Sequence, residues 1–192
     1  MNQILRPIVI SGPSGVGKTT FIQPLLKKFP KKFSFTCSHT TRKPRSGEIN
    51  GVDYFFTDKT VMLSEINQNK FIEHAEFAGN LYGTSHKAVS ELLTKNTIPI
   101  LDLDEQGVRN IKKQSSFDAV FVFIEPPSIQ DLEKRLIGRG TETNESLMKR
   151  MEAAKSSLDY AMEGVYDVRI VNDDFDKAYL RFEKFLRGQF DL

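Results

Sequence analysis

The residues with the most chemical content lie near the N-terminus. GPSGVGKT, residues 12–19, fits the spacing G-x-x-x-x-G-K-[ST]. Glycines at Gly12, Gly15 and Gly17 let backbone N–H groups turn inward around phosphate oxygens without a side-chain clash. The helix that should follow adds positive potential at its N-terminus. Lys18 can reach the β and γ phosphates, and the Thr19 hydroxyl can ligate Mg2+. The plain alternative is a glycine-rich strand-to-helix turn with no ligand. The motif points to a nucleoside triphosphate site. It does not choose between a hydrolase, a motor and a kinase.

A second group begins at SHTTRKPRSGEINGVDY, residues 38–54. Arg42 and Arg45 are three apart in a polar stretch, with Tyr54 beyond, and two guanidinium forks suit a phosphate group. Glu73 falls in an alternating run, and Tyr82-Gly83-Thr84 follows a turn. Singly, each is weak: arginine pairs in loops are often only solvated, and a strand glutamate often faces water. Asp102 and Asp104 end an apolar run. Ligands of open α/β sheets sit outside the carboxyl ends of strands, so Asp102 is a candidate to serve Mg2+ through water. Solvated acids at a strand end are the alternative. Arg135 and Arg139 share a helix face if their helix continues, and Arg150 follows eleven positions later. Surface helix charge is the alternative there.

These residues need elements to hold them. Pro7 to Ser11 reads as a buried strand, and a helical pattern runs from about Lys18 to Phe29, stopped near Pro30. Phe33 to Cys37 alternates like a strand, and residues 38–53 read as a loop with turns. A helix is expected over Thr57–Asn69 with Val61, Met62 and Ile66 on one side. Strands are expected over 71–79, 98–104, Asp118–Ile124 and Val168–Val171. Helices are expected over Ser85–Thr94, Gln106–Gln114, Ser128 to about Ile137, Glu145–Met162 and Phe175–Leu186. Ser128 with Asp131 resembles a capping box. The stretch from Gly138 to Asn144 reads as polar and mobile. Strand and helix patterns alternate, which favours an α/β fold with a largely parallel sheet.

Composition narrows the class. In 192 residues, 39% are hydrophobic and 27% charged, the profile of a soluble globular chain rather than a disordered one. Cys37 is the only cysteine, which excludes a disulfide scaffold. Neither a membrane-spanning run nor the apolar core of a signal peptide is read, so the expected location is cytoplasmic. The net charge of +2 hides an asymmetry: residues 1–60 carry +7 and residues 61–192 carry −5. A basic N-terminal third suggests an anionic partner. Lys27, Lys28, Lys31 and Lys32 read as a solvated helix end.

As a set, the motifs resemble the guanylate kinase family. The resemblance is carried by TTRKPRSGEINGVDYFF (40–56), FIEHAEFAGNLYGT (71–84), ILDLDEQGV (100–108), RLIGRGTET (135–143) and IVNDD (170–174), in order from Arg6 to about Tyr179. It departs from the commonest family pattern at His39, His74 and Leu81. It implies a P-loop NTPase-type parallel sheet core, about 1–35, 91–136 and 161–192. It also implies an inserted GMP-binding lobe over about 36–90 and a mobile lid over about 137–160.

The implied reaction is Mg2+-dependent phosphoryl transfer from ATP to GMP or dGMP, giving ADP and GDP. No nucleic-acid or membrane partner is implied. The family pattern places the GMP phosphate on Arg42, Arg45, Tyr54 and Tyr82, and the guanine on Ser38, Glu73, Thr84 and Asp104. It places ATP on Gly12, Pro13, Ser14, Gly15, Val16 and Gly17, continuing through Lys18, Thr19 and Thr20, with Asn172 near the adenine. Lys18, Arg42 and the lid arginines Arg135, Arg139 and Arg150 carry catalysis in this pattern, and Thr19 and Asp102 serve the metal. A rival within the same fold is a protein-binding scaffold module without turnover.

Overall fold

The computed structural model describes residues 5–77, 79–114, 117–138, 140 and 143–192. Its central sheet has five strands in the order β2-β7-β1-β8-β9, every pair parallel: β1 (Ile8–Ser11), β2 (Phe33–Phe35), β7 (Ile98–Leu103), β8 (Val120–Glu125) and β9 (Val168–Val171). Parallel strands need crossovers, and helices supply them on both faces. The expected α/β class with a parallel core is what the chain adopts.

The alternation of the strands divides the core. Ile8 and Ile10 of β1, with Val120, Val122 and Ile124 of β8, pack against α1 (Lys18–Lys28), α5 (Ile129–Ile137) and α7 (Phe175–Gln189). Val9, Phe121 and Phe123 point the other way, toward α3 (His86–Thr94), α4 (Glu105–Lys112) and the C-terminal half of α6 (Asn144–Met162). All of β1 is buried, Ser11 included, as a central strand covered on both faces requires.

A second, four-stranded sheet has the order β4-β3-β6-β5, formed by β3 (His39–Thr40), β4 (Phe55–Phe56), β5 (Phe71–Phe77) and β6 (Asn80–Ser85). Its own small core is Met62, Phe71 and Leu81, closed by α2 (Lys59–Asn67). Among the described residues, no helix is long and apolar enough to cross a membrane.

Several expectations are corrected. The stretch 38–53 is not all loop, since His39 and Thr40 pair with Gly83 and Tyr82. Tyr82 to Thr84, which the sequence leaves without an element, belong to strand β6. Val61 is 48% exposed while Met62 is buried, because neighbours in a helix cannot share a face. Lys28 is not simply solvated, because it donates to both carboxylate oxygens of Glu183 at 2.9 and 2.8 Å. Helix α5 ends at Ile137, with Gly138 as its C-cap. Arg139 itself lies outside the described residues, as does part of the Gly138–Asn144 stretch.

Candidate active site

The phosphate loop leaves β1 at Ser11 and enters α1 at Lys18. Gly12 has φ +145°, and a Cβ there would lie 2.3 Å from the Ile124 carbonyl oxygen, so no side chain fits. Gly17 caps α1 in the left-handed region, at φ +99°. Helix α1 has no side-chain cap and no acidic residue in its first turn. By contrast α3, α4, α5, α6 and α7 each open on a side-chain cap. Uncapped N–H groups behind a glycine loop are an anion site.

Four side chains converge on this loop. Lys18 Nζ donates to the Gly12 carbonyl at 2.9 Å and lies 3.7 Å from Asp102 Oδ1. Asn172 Nδ2 donates to the Val16 carbonyl at 2.8 Å. Arg135 donates to the same carbonyl at 3.3 Å and to the Asn172 carbonyl at 2.9 Å. Arg150, from α6, donates to Ser14 Oγ at 2.5 Å. Thr20 turns its hydroxyl to the Gly17 carbonyl at 2.6 Å, while Thr19 is exposed. Burial raises the Asp102 carboxyl above its usual range, and Lys18 opposes that rise.

The second sheet gathers the other predicted residues. Ser38 Oγ and Thr84 Oγ1 are 3.2 Å apart. Register slips between Phe71 and Glu73, a bulge that sets Glu73 opposite Thr84. Glu73 is 6% exposed, and burial pushes its pKa up to about 7, against a hydrogen bond from Thr84 that lowers it. Gly107 of α4 abuts its Oε2 and would crowd it at 3.2 Å if it carried a Cβ. Asp104 caps α4, accepting from the Gly107 N–H at 2.9 Å, and its charge adds to the rise at Glu73.

Arg42 lies 5.3 Å from the Tyr54 ring centroid and 5.9 Å from that of Phe56. The Tyr54 and Tyr82 rings are 6.1 Å apart, edge to face. Arg45 is exposed one turn further along the loop. A cleft of about 780 Å3 runs from Gly12–Ser14 past Glu76 and Asp104 to Lys149 and Arg150. It joins the phosphate loop, the start of α4 and one side of α6.

The matching family model, described as Guanylate kinase, spans residues 4–189. A guanylate kinase of Sus scrofa is 52% identical over 175 residues, covering 91% of this chain and 88% of its own. The chain belongs to the guanylate kinase family. A human guanylate kinase is 49% identical over 182 residues, covering 94% of this chain and 92% of its own. The crystal structure of guanylate kinase from Anaplasma phagocytophilum superposes with a TM-score of 0.73 at 29% identity, covering 97% of this chain and 87% of that one.

Within this guanylate kinase fold, sequence reasoning passed over two features. Asn172 and Arg135 brace the loop through Val16, which links parts of the chain far apart in sequence. Glu48 binds Arg42 with both carboxylate oxygens, at 3.0 and 2.8 Å. An acid six residues after an arginine in a Gly-containing turn was the available signal.

Proposed function

We propose that the protein transfers the γ-phosphoryl group of ATP to GMP, and less readily to dGMP, giving ADP and GDP. The observation that carries the acceptor assignment is Glu73. Its carboxyl is buried, with no ion pair among the described residues, and burial alone dominates its raised pKa. An ionised carboxylate in such a place needs hydrogen-bond donors. Guanine offers two side by side, N1–H and the N2 amino group, and its O6 accepts from the Ser38 and Thr84 hydroxyls. Adenine reverses donor and acceptor on that edge, leaving buried polar groups unpaired.

In this reading Arg42, Arg45, Tyr54 and Tyr82 hold the GMP phosphate, and Asp104 contributes to the base site. The loop from Gly12 to Thr20 holds the ATP phosphates, with Asn172 toward the adenine. The GMP phosphate is already an anionic nucleophile, so no general base is required. Catalysis comes from alignment and from cations spread around the transferring group. Lys18, Arg135 and Arg150 supply the charge, joined in the family pattern by Arg139.

Thr19 and Asp102 are hard oxygen donors and fit Mg2+. Among the described residues no cluster of three or more His, Cys, Asp or Glu could hold a metal alone. This suits an ion that arrives on the nucleotide, keeps several waters and takes one or two protein oxygens. When bound, such an ion would supply neutralisation of the charge that develops on the phosphates. Closure of a lobe over about 36–90 and a lid over about 137–160 excludes water and limits idle ATP hydrolysis.

The scaffold alternative is not favoured. The loop keeps Lys18 and Thr19, and the relatives named guanylate kinase match along nearly the whole chain. The test is ADP formation from ATP and Mg2+ against GMP, dGMP, AMP, UMP and dTMP. GMP should rank first, dGMP second and AMP near background. Folded protein with no turnover on any acceptor would favour the scaffold reading.

A further inference from the structure

Glu48 lies in the turn that follows the two candidate phosphate arginines, and binds the side chain of Arg42 and the backbone of Arg45. Its Oε1 accepts from Arg42 Nη2 at 2.8 Å, and its Oε2 accepts from Arg42 Nη1 at 3.0 Å. The same Oε2 accepts from the Arg45 backbone N–H at 2.7 Å. Glu48 N–H in turn donates to the Arg45 carbonyl at 3.1 Å, so the turn is closed from both ends. Arg42 Nη1 spends its other hydrogen on the Lys43 carbonyl at 2.8 Å.

Counting donors makes the consequence plain. A guanidinium has five N–H groups in a fixed plane. Three go to Glu48 and Lys43. Those not committed to these acceptors are Nε–H and the second Nη2–H, which lie on one edge and point the same way. That edge matches the spacing of two phosphate oxygens. The Tyr54 and Phe56 rings stand near the guanidinium, their centroids 5.3 and 5.9 Å from its central carbon. Arg42, foremost, holds the Glu48 carboxyl down at about 2, so the bridge stays ionised throughout the working pH range.

We propose that Glu48 is the positioning residue of the acceptor site: it turns Arg42 so that a single Nε/Nη2 edge is presented to the phosphate of the nucleoside monophosphate. This rests on the reading of Arg42 as a ligand of that phosphate. Glu48 touches no substrate. Its negative charge opposes phosphate binding, so its value lies in geometry that outweighs that repulsion.

The test compares Glu48→Gln, Glu48→Asp and Arg42→Ala with the unaltered protein. The readouts are KM for GMP, KM for ATP and the dissociation constant of guanosine, which carries the base but no phosphate. Glu48→Gln puts an amide N–H against an arginine N–H. It should raise KM for GMP about 10- to 100-fold, the scale of a charge-assisted pair, and leave KM for ATP and guanosine binding within about 2-fold. Glu48→Asp keeps the charge on a shorter stem and should recover part of the loss. Equal weakening of guanosine and GMP would mean that Glu48 only supports the lobe, which overturns the proposal. Tighter GMP binding in Glu48→Gln would mean that repulsion dominates, which also overturns it. If Arg42→Ala raises KM for GMP while Glu48→Gln does not, the positioning role alone fails. If Arg42→Ala leaves KM for GMP unchanged, the phosphate reading of Arg42 fails first.

Discussion

Lys18 and Asp102 face each other at the root of the phosphate loop, Nζ 3.7 Å from Oδ1. The gap exceeds a hydrogen bond, and the Gly12 carbonyl at 2.9 Å holds the ammonium instead. Lys18 is therefore aimed along the loop before any nucleotide arrives. Replacing Lys18 with Ala should lower kcat by about 100- to 1,000-fold, the usual cost of losing one preorganised charge. Circular dichroism should remain that of the unaltered protein. Near-normal turnover would remove Lys18 from the mechanism.

Glu73 makes acceptor binding depend on pH. Its value of about 7 is that of the free site, and guanine donors bind the ionised form. Below pH 7 the carboxyl must first lose a proton, so GMP affinity should fall about tenfold per pH unit. Glu73→Gln should flatten that slope. Titration calorimetry between pH 5.5 and 8 measures both, and equal slopes in the two proteins would contradict the assignment.

The same group has a stability consequence of known sign. Its folded value of about 7 lies above the ordinary 4.5. The folded chain therefore keeps a proton that the unfolded chain has released between those pH values. Stability falls as pH rises through that window. Above pH 7 the cost is complete, on the order of 3 kcal/mol at about 1.4 kcal/mol per unit. Glu73→Gln should raise Tm at pH 8 by about 6 to 12 °C for a chain of this size, and by little at pH 4. Scanning calorimetry at the two pH values decides it. A variant less stable at pH 8 would show that the carboxylate stabilises the fold.

Gly12 admits no substitution. Alanine would bring a Cβ to 2.3 Å from the Ile124 carbonyl while holding φ at +145°. Gly12→Ala should lose about 3 kcal/mol or more, with a Tm drop of about 6 to 12 °C. A Tm unchanged within about 2 °C would show that the loop relaxes easily.

The parts of the site readable in sequence are those that are contiguous. The phosphate loop, its strand and its helix occupy consecutive residues, so spacing alone placed Gly12, Lys18 and Thr19. Paired structure was harder. Tyr82 to Thr84 could be placed after a turn but not assigned to a strand, because glycine interrupts the pattern. In the fold Gly83 pairs with both His39 and His74, and a Cβ there would meet the Glu73 carbonyl oxygen at 2.9 Å. Glu73 shares its alternation with Phe71 and Ala75, but an acid on an apolar face reads equally as solvated, and only the fold shows it buried. The bracing of Val16 by Asn172 and Arg135 joins positions 119 and 156 residues away, and nothing local records it. Val61 and Met62 show the converse. Both are apolar, but only three-dimensional packing chose Met62.

The sharpest measurement is the ratio of kcat/KM for GMP to that for AMP, taken in the unaltered protein and in Glu73→Gln. If Glu73 reads the purine edge, the unaltered ratio is about 10,000 or more, and the variant loses about 100-fold of it. A ratio that survives the substitution unchanged would place the choice of base elsewhere and contradict the account.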